Sequence, residues 1–508
     1  MLLEQSKKKN IKNGIVMGIV NNAVNIILPF LSKTVILYTL GIEFAGLGGL
    51  FTSIINVLSL TEMGFGAAIS YMLYKPIAES DTAKVNALLR LYRKIYRAIG
   101  ILIVLISIGM IPFIRNLIAG DIPDSVDIYI LFGIYVFNTA SSYLFFGYRR
   151  VLISANERYD VEVSIASVVA LIRSTIQISL LLIYKDYYLY IMMMPIATIA
   201  DSMICYIYTK RKFPQYKCDG HVEKNDLSLI MKNVLGAFLA KVGSTIYLSV
   251  DNIVISAFLG LFMLGVYTNY YYILAALIAL FAVIHNSIRP VIGNNIVRKS
   301  VDENWRLFKN INNLYMILTV FCCNCCLALF QDFEKIWGGT DNVLPFFMVL
   351  LFVFYFYSGK QNCILTVYQE ASGLLWHGKY ITILAAIVNL TVNIVLVQII
   401  GLPGILISSI TANILITLPG TMYVMFKYYF NDNKYIREYM KSILYGFIKL
   451  ILTSLIVFLT TNRFIADNIY LFALKLIFTV LISVILLIIF NFRSEEMRNF
   501  IREKSWKK

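Results

Sequence analysis

The sequence predicts an all-α, polytopic integral membrane protein with about fourteen transmembrane helices. Its 508 residues are 59% hydrophobic and only 15% charged, whereas a soluble domain has about 25% charged residues. Apolar runs long enough to cross a bilayer recur along the whole chain, and basic residues concentrate in alternate loops between them. These observations exclude a soluble enzyme, a disordered chain and a disulfide-stabilised scaffold.

Fourteen apolar runs, each of about 20 residues, define the predicted helices. They begin near residues 14, 44, 98, 126, 161, 187, 230, 264, 314, 344, 381, 403, 442 and 469. Each run is longer than the alternating strands of a membrane barrel, which have about 10 residues, so the spans are helices. Between runs 2 and 3, residues 79–97 repeat apolar side chains at helical spacing among basic ones. This pattern predicts an amphipathic helix on the inner membrane surface.

The distribution of basic residues predicts the orientation of the chain. Of the 45 Lys and Arg residues, 35 fall in the termini and even-numbered loops, six fall in runs, and four fall in odd-numbered loops. Those four are Arg115, Lys185, Lys335 and Arg463. Because basic residues accumulate in cytoplasmic loops, both termini are predicted to be cytoplasmic.

An internal repeat predicts two halves of six helices. Leu40-Gly41-Ile42-Glu43-Phe44-Ala45-Gly46-Leu47 recurs as Leu259-Gly260-Leu261-Phe262-Met263-Leu264-Gly265-Val266 with the same glycine spacing. An even number of spans per copy gives parallel halves, a transporter plan with the binding site between them. The predicted domains are an N-terminal bundle over 1–209, a linker over 210–229, a second bundle over 230–426, and two further helices with a basic tail over 427–508.

Ionisable and amide side chains inside the runs are the candidate site residues, because an ionisable group at mid-membrane is costly and normally faces a cavity or a partner. Cations outnumber acids in the repeated runs, which favours an anionic passenger. Lys33 and Lys241 are the leading anion ligands, followed by Arg173. Asn25, Asn56 and Ser244 lie on polar stripes of runs 1, 2 and 7 and are predicted to line the same cavity. The alternative for the lysines is a buried ion pair or a side chain that reaches the interface.

Two acids in the runs, Glu62 and Asp251, are candidates for coupling to a proton or sodium gradient, with structural pairing as the equal alternative. No cofactor is predicted. Cys322, Cys323, Cys325 and Cys326 point apart on one helix and cannot close a tetrahedral metal site. No GxxxxGK[ST] phosphate loop is present, so the chain is predicted to be a transporter without ATPase activity and not an enzyme.

Residues 40–78, followed by LLRLYRKIYR at 88–97, resemble the bacterial polysaccharide-transporter family, and so do VDNIVISAFLG at 250–260 and GVYTNYYYI at 265–273. This family belongs to the multidrug/oligosaccharidyl-lipid/polysaccharide exporter superfamily. The resemblance implies two six-helix bundles around a central cavity, often with two extra helices, in the bacterial inner membrane.

The same resemblance implies a flippase that moves undecaprenyl-pyrophosphate-linked oligosaccharide repeat units to the outer leaflet by alternating access. Its product would serve capsule, exopolysaccharide or O-antigen synthesis. The expected partners are membrane lipids, a polysaccharide polymerase and assembly proteins, and no nucleic acid. Three alternatives remain open: a lipid II flippase, a cation-coupled multidrug exporter, and a scaffold or membrane-embedded glycosyltransferase.

Overall fold

The computed structural model describes residues 2–62, 65–222 and 224–491; the side chains of residues 2–16, 19, 61–62, 67–68 and 224–241 lie outside the description. The structure is 87% helical, and the described residues form no strand. The predicted all-α polytopic fold is therefore confirmed. Among the described residues, eleven helices are long and apolar enough to cross a membrane, or twelve if one bent pair is a single span.

The chain divides into two compact units, and the first is Met1–Gly265. Its helices are α1 (Leu2–Thr39), α2 (Ile42–Leu58), α3 (Phe65–Ala78), α4 (Thr82–Met110), α5 (Ile128–Leu144), α6 (Arg150–Ala155), α7 (Tyr159–Tyr184), α8 (Tyr187–Lys212) and the first part of α9 (Lys224–Arg298). Aromatic rings fill part of its core, where Phe51 of α2 contacts Phe132 and Tyr135 of α5 with ring centroids 6.1 and 5.3 Å apart.

The second unit, Val266–Lys508, contains the rest of α9 and eight further helices. They are α10 (Val301–Trp337), α11 (Phe346–Lys360), α12 (Cys363–Ala371), α13 (Lys379–Ile400), α14 (Leu402–Ala412), α15 (Leu418–Tyr428), α16 (Asn433–Thr461) and α17 (Ile469–Asn491). Its core holds a cluster in which Phe308 contacts Trp305, Tyr368 and Phe430 at 5.0 to 5.8 Å between ring centroids. Such edge and offset ring contacts stabilise a core beyond the area they bury.

Short polar side chains set where several helices begin. The Asp127 carboxylate accepts hydrogen bonds from the backbone of Tyr129 and Ile130 at the start of α5, and Asp186 caps α8 in the same way. Ser300 and Glu303 form a capping box at the start of α10. These caps satisfy amide groups that have no partner within the helix.

With the bent pair Ile128–Leu144 and Gly147–Ala155 counted as one span, the count of spans differs from fourteen at two places. Runs 7 and 8 are two helices that follow one another directly and are labelled together as α9; at Gly260, between them, the backbone is not helical (φ 82°, ψ 178°). Run 2 is divided among α2, a 3₁₀ turn over Ser59–Glu62 and α3. None of these pieces is long enough to count as a span alone, although α2 is apolar over 17 residues.

The predicted repeat has a structural counterpart within the first unit. Gly41 and Gly260 occupy equivalent positions, and both have positive φ with an extended ψ. A Cβ on Gly46 would lie 2.3 Å from the carbonyl oxygen of Leu261, and a Cβ on Gly265 would lie 2.3 Å from that of Ile42. Because Ile42 and Leu261 are themselves equivalent, the two close contacts are reciprocal, as expected of duplicated segments.

Residues 79–97 do not form a separate helix on the membrane surface, so that prediction is wrong. They belong mostly to α4, which continues to Met110. Val85, Leu88, Leu89 and Tyr92 are buried in a core with Ile69 and Leu73 of α3 and with residues of α6 and the 213–222 loop. The apolar face at the start of α4 therefore packs on protein.

Candidate functional site: a polar pocket in the first unit

A polar pocket of about 370 Å³ lies among six helices of the first unit. Polar side chains from α1, α5, α6, α7 and α8 line it, together with Tyr96 of α4 and small residues of α7 and α8. The lining residues with polar side chains are Asn25, Tyr96, Ser142, Tyr143, Arg150, Arg173, Thr198, Asp201 and Ser202. Alanines 166, 170 and 197 leave the open volume that larger side chains would fill.

A break between α5 and α6 forms one wall of this pocket. The segments Ile128–Leu144 and Gly147–Ala155 are inclined by 46°. A Cβ at Gly147 would lie 2.1 Å from the carbonyl oxygen of Ser142, so the bend requires glycine there. Arg150 begins α6 directly after this bend, and its side chain lines the pocket.

Two acids hold the Arg150 guanidinium. Its Nη2 donates to both carboxylate oxygens of Asp201 in α8, at 2.8 and 2.6 Å. Its Nε lies 4.0 Å from Glu162 Oε1 in α7, and Ser154 Oγ donates a hydrogen bond to the other oxygen of Glu162. The only acid that lines the pocket, among the residues described, is therefore paired with a cation. Charge-assisted pairs of this kind fix the relative positions of three helices.

Arg173 of α7 differs from Arg150 in its environment. It is half-buried, and its Nε is enclosed without a hydrogen-bond partner. Within the described part of the chain, no carboxylate forms an ion pair with it. Arg173 follows Glu162 by three turns of α7, which corresponds to about 16 Å along the helix axis. The pocket is thus lined by one arginine that is paired with acids, Arg150, and by one that forms no ion pair among the described residues, Arg173.

Two further polar groups border the same space. Thr198 Oγ1 donates to Asn138 Oδ1 at 2.7 Å, and Asn25 of α1 is exposed to the pocket. One turn away from Asn25, Asn21 accepts a hydrogen bond from Ser167 of α7 at 3.0 Å, which joins α1 to α7. Amide and hydroxyl groups of this kind can donate to or accept from sugar hydroxyls.

The structure brings together two of the predicted site residues, Asn25 and Arg173. Lys33 is half-buried on α1 but does not line this pocket, and neither do Asn56, Ser244 and Asp251. Asn56 is exposed on α2, Ser244 is half-buried and Asp251 is buried on α9. The side chains of Lys241 and Glu62 lie outside the described residues. For all of these the predicted binding or coupling role stays a prediction.

Sequence reasoning missed the role of Arg150 in this pocket. It stands next to Arg149 after the fourth run and therefore counts as a cytoplasmic-loop cation. The sequence does indicate that some cation pairs with Asp201 of the sixth run, because a carboxylate in a span needs a partner. Nothing in the sequence identifies that partner, since the pair is 51 positions apart.

The remaining three of the six cations in the predicted runs are Lys360, Lys449 and Lys475, and each has a structural partner or aromatic neighbours. Lys475 pairs with Asp332 at 2.6 Å, and Lys449 donates to Asn491 Oδ1 at 2.6 Å. Lys360 lies 5.3 Å from the ring centroids of Phe281 and Phe356. These contacts agree with the alternative of pairing within the protein.

Comparisons with known proteins place this fold. A scan against protein-family profiles finds no matching family, and a search of curated sequences finds no significant match. The lipid II flippase MurJ in its inward closed conformation is 15% identical, with a TM-score of 0.64, over 96% of this chain and 100% of that chain.

Two further solved structures match less of the chain. A multidrug resistance MATE family transporter of the MOP superfamily, in its inward-facing conformation, is 14% identical, with a TM-score of 0.61, over 80% of this chain and 97% of that one. A MOP superfamily transporter from Pyrococcus furiosus, whose pocket is described as reversed in polarity, is 14% identical over 83% of this chain and 95% of that one, with a TM-score of 0.54. The chain therefore has the fold of the transporters and flippases of the MOP superfamily.

Proposed function

We propose that this protein is a flippase for undecaprenyl-pyrophosphate-linked oligosaccharide repeat units. It moves them from the cytoplasmic to the outer leaflet of a bacterial inner membrane by alternating access, for capsule, exopolysaccharide or O-antigen synthesis. The fold of MOP superfamily transporters supports a membrane transporter or flippase. The anionic substrate is supported by one observation, the Arg173 guanidinium in the polar pocket of the first unit.

Arg173 suits a diphosphate for electrostatic reasons. Its enclosed Nε has no hydrogen-bond partner, and phosphate oxygens accept the paired hydrogen bonds that a planar guanidinium donates. Arg173 lines the pocket and forms no ion pair among the described residues, so a bound diphosphate would supply its countercharge. In this proposal the diphosphate lies at Arg173, while Asn25 and Thr198 contact sugar hydroxyls.

The charges of the pocket disfavour a cationic drug as the substrate. Two arginines and one aspartate line it, so the net charge of the lining is positive. The aspartate, Asp201, already accepts two hydrogen bonds from Arg150 and would have to release them to bind a cation. Lys33 and Lys241 stay proposed anion ligands, and Glu62 and Asp251 stay proposed coupling acids.

The peptidoglycan precursor lipid II is the second candidate substrate, and one observation favours it. The match to the lipid II flippase MurJ extends over 96% of this chain, whereas the matches to the MATE transporter and to the Pyrococcus furiosus transporter cover 80% and 83%. Lipid II shares the diphosphate and the lipid carrier, so the role proposed for Arg173 is the same for both substrates. Only the sugar and peptide portion distinguishes them.

Purified protein in liposomes tests the proposal directly. A fluorescent undecaprenyl-pyrophosphate oligosaccharide becomes accessible on the opposite leaflet if the protein flips it, and lipid II in parallel vesicles identifies the preferred headgroup. Arg173→Gln should lower the rate at least about tenfold, because a hydrogen bond to a charged group contributes about 1.5–3 kcal/mol. Arg173→Lys, which keeps the charge but loses the planar fork, should be intermediate.

Arg158→Gln is the matched control. Arg158 precedes α7, pairs with Asp160 at 2.9 Å and does not line the pocket. Its removal should leave the flipping rate near that of the unchanged protein. Equal rates for Arg173→Gln and unchanged protein would refute the role of Arg173, and the absence of flipping with every lipid-linked diphosphate would refute the flippase itself.

A further inference from the structure

A second cavity, of about 380 Å³, lies between α10, α16 and α17 of the second unit. We name it the lysine groove. Its polar lining residues are Lys309, Asn312, Asn313, Glu438, Lys441, Ser442, Lys449 and Asn491. The transport proposal makes no use of any of them, so their convergence calls for a separate explanation.

The charges of the lysine groove favour an anion. Three lysines from two helices line it, against one acid, Glu438. That carboxylate is already engaged, because it lies 3.2 Å from Lys309 Nζ and accepts a hydrogen bond of 2.8 Å from Trp305 Nε1. Even with this acid counted, two positive charges remain on the groove. Lys441 is exposed at its edge.

Asn312 adds an observation that is independent of charge. Its side chain lines the groove and is only 4% exposed, yet its Oδ1 has no hydrogen-bond partner among the described residues. A buried amide oxygen of this kind requires a donor. An anion alone does not donate, so the ligand that fits this groove carries a hydroxyl or ammonium group as well as a negative charge.

The remaining walls of the groove are apolar. Phe308, Met316, Val320 and Leu487 are buried side chains that line it. Tyr445, also in the lining, is 62% exposed, and α16 and α17 carry a series of exposed large apolar side chains that suit contact with lipid tails. An apolar wall beside a cationic rim matches an amphiphile.

We propose that the lysine groove binds an anionic glycerophospholipid of the phosphatidylglycerol type. Its phosphodiester lies among Lys309, Lys441 and Lys449, a glycerol hydroxyl donates to Asn312 Oδ1, and an acyl chain follows the apolar wall. Phosphatidylglycerol combines one negative charge with hydroxyl donors, as the groove requires. The topology predicted from the basic residues puts this site in the cytoplasmic leaflet, where juxtamembrane lysines attract anionic lipid.

Native mass spectrometry of the full-length protein in detergent tests this inference. Phosphatidylglycerol, phosphatidylcholine and an undecaprenyl-linked diphosphate are each titrated at the same concentrations. Phosphatidylglycerol should bind selectively, and Lys441→Gln should weaken it about fivefold, the effect of about one lysine near a membrane surface. Ser442→Trp, which fills the cavity without changing its charge, should abolish the selective binding.

Lys434→Gln is the matched control, because it removes an exposed lysine from the same helix that does not line the groove. It should leave phosphatidylglycerol binding unchanged. Three outcomes would overturn the proposal: equal binding of phosphatidylcholine and phosphatidylglycerol, an equal loss in Lys434→Gln and Lys441→Gln, or selective binding that survives Ser442→Trp. Preferential binding of the undecaprenyl-linked diphosphate would assign the groove to the transported lipid and also overturn it.

Discussion

Lys475 and Asp332 form a buried ion pair that joins α17 to α10 in the second unit. The Nζ–Oδ2 distance is 2.6 Å, and the side chains are 6% and 14% exposed. Lys475→Met leaves the Asp332 carboxylate buried without its cation, which should destabilise the protein by on the order of 3 kcal/mol. Thermal unfolding of the purified protein in detergent should show a lower Tm, with recovery in the double variant Lys475→Met/Asp332→Leu.

An exposed ion pair between the same regions of the chain is the control. Lys335 Nζ lies 2.6 Å from Asp467 Oδ1, but the side chains are 42% and 62% exposed. Because solvent screens exposed charges, Lys335→Met should change the Tm far less than Lys475→Met. If the two variants have the same Tm, or if the double variant is less stable than Lys475→Met, the buried pair does not have the assigned role.

Only part of the candidate site could be predicted from the sequence. Arg173 and Asn25 are predictable, because a polar side chain inside an apolar run is visible in the sequence. The partnership of Arg150 with Asp201 is not, because it depends on the bend at Gly147 and on the packing of α6 against α8. Spacing along one helix is readable from sequence, whereas contacts between helices require the tertiary fold.

At the scale of elements, the bend between α5 and α6 controls the wall of the polar pocket. A Cβ at Gly147 would approach the Ser142 carbonyl oxygen to 2.1 Å, well inside van der Waals contact. Gly147→Ala must therefore shift the backbone, and we expect a loss of about 1–3 kcal/mol, the usual cost of overpacking. The Tm should fall, and flipping should fall with it because Arg150 moves relative to Asp201.

Gly133→Ala in α5 should raise the Tm instead of lowering it. This glycine lies in the same bent pair, but a Cβ there would meet no atom within 4 Å. Alanine in a helix interior is about 0.5–1 kcal/mol more favourable than glycine, so the Tm should rise slightly. A Gly147→Ala protein as stable as Gly133→Ala would show that the bend tolerates a side chain.

The helices themselves were largely predictable, and the exceptions have identifiable causes. Apolar runs of about 20 residues locate spans because the bilayer requires that length. Hydropathy does not reveal that the two helices of α9 meet directly at Gly260, nor that run 2 breaks at Ser59–Glu62. The amphipathic pattern of residues 79–97 is real, but a pattern does not state whether its apolar face meets lipid or protein.

At the scale of the whole molecule, the distribution of basic residues among the loops predicts the orientation of the chain in the membrane, which no single helix does. Only four of 45 fall in odd-numbered loops, which predicts cytoplasmic termini and an even number of spans. Three of these four residues lie outside the long helices, as the loop positions require: Arg115 follows α4, Lys185 separates α7 from α8, and Arg463 follows α16. The orientation itself stays a prediction, because neither helix packing nor burial depends on which side is the cytoplasm.

Cysteine labelling in intact cells tests that orientation in both units. Four exposed positions between the predicted spans serve, and they are Glu79 and Asn433, predicted to be cytoplasmic, and Ser125 and Asp341, predicted to be outside. A membrane-impermeant maleimide should label Ser125→Cys and Asp341→Cys in intact cells, and all four variants after permeabilisation. The native cysteines are buried or half-buried, so the unchanged protein provides the background.

Each pattern of labelling has a distinct physical meaning. Labelling of Glu79→Cys and Asn433→Cys alone in intact cells would mean that the basic loops face outwards, which contradicts the electrostatic argument for the whole chain. Labelling of Ser125→Cys together with Asn433→Cys would put both positions outside, which means an even number of crossings between them instead of the predicted odd number, and the two copies of the repeat would then enter the membrane from opposite sides. The predicted pattern requires an even number of crossings between Glu79 and Asn433, which holds only if α9 crosses the membrane twice, with its turn at Gly260.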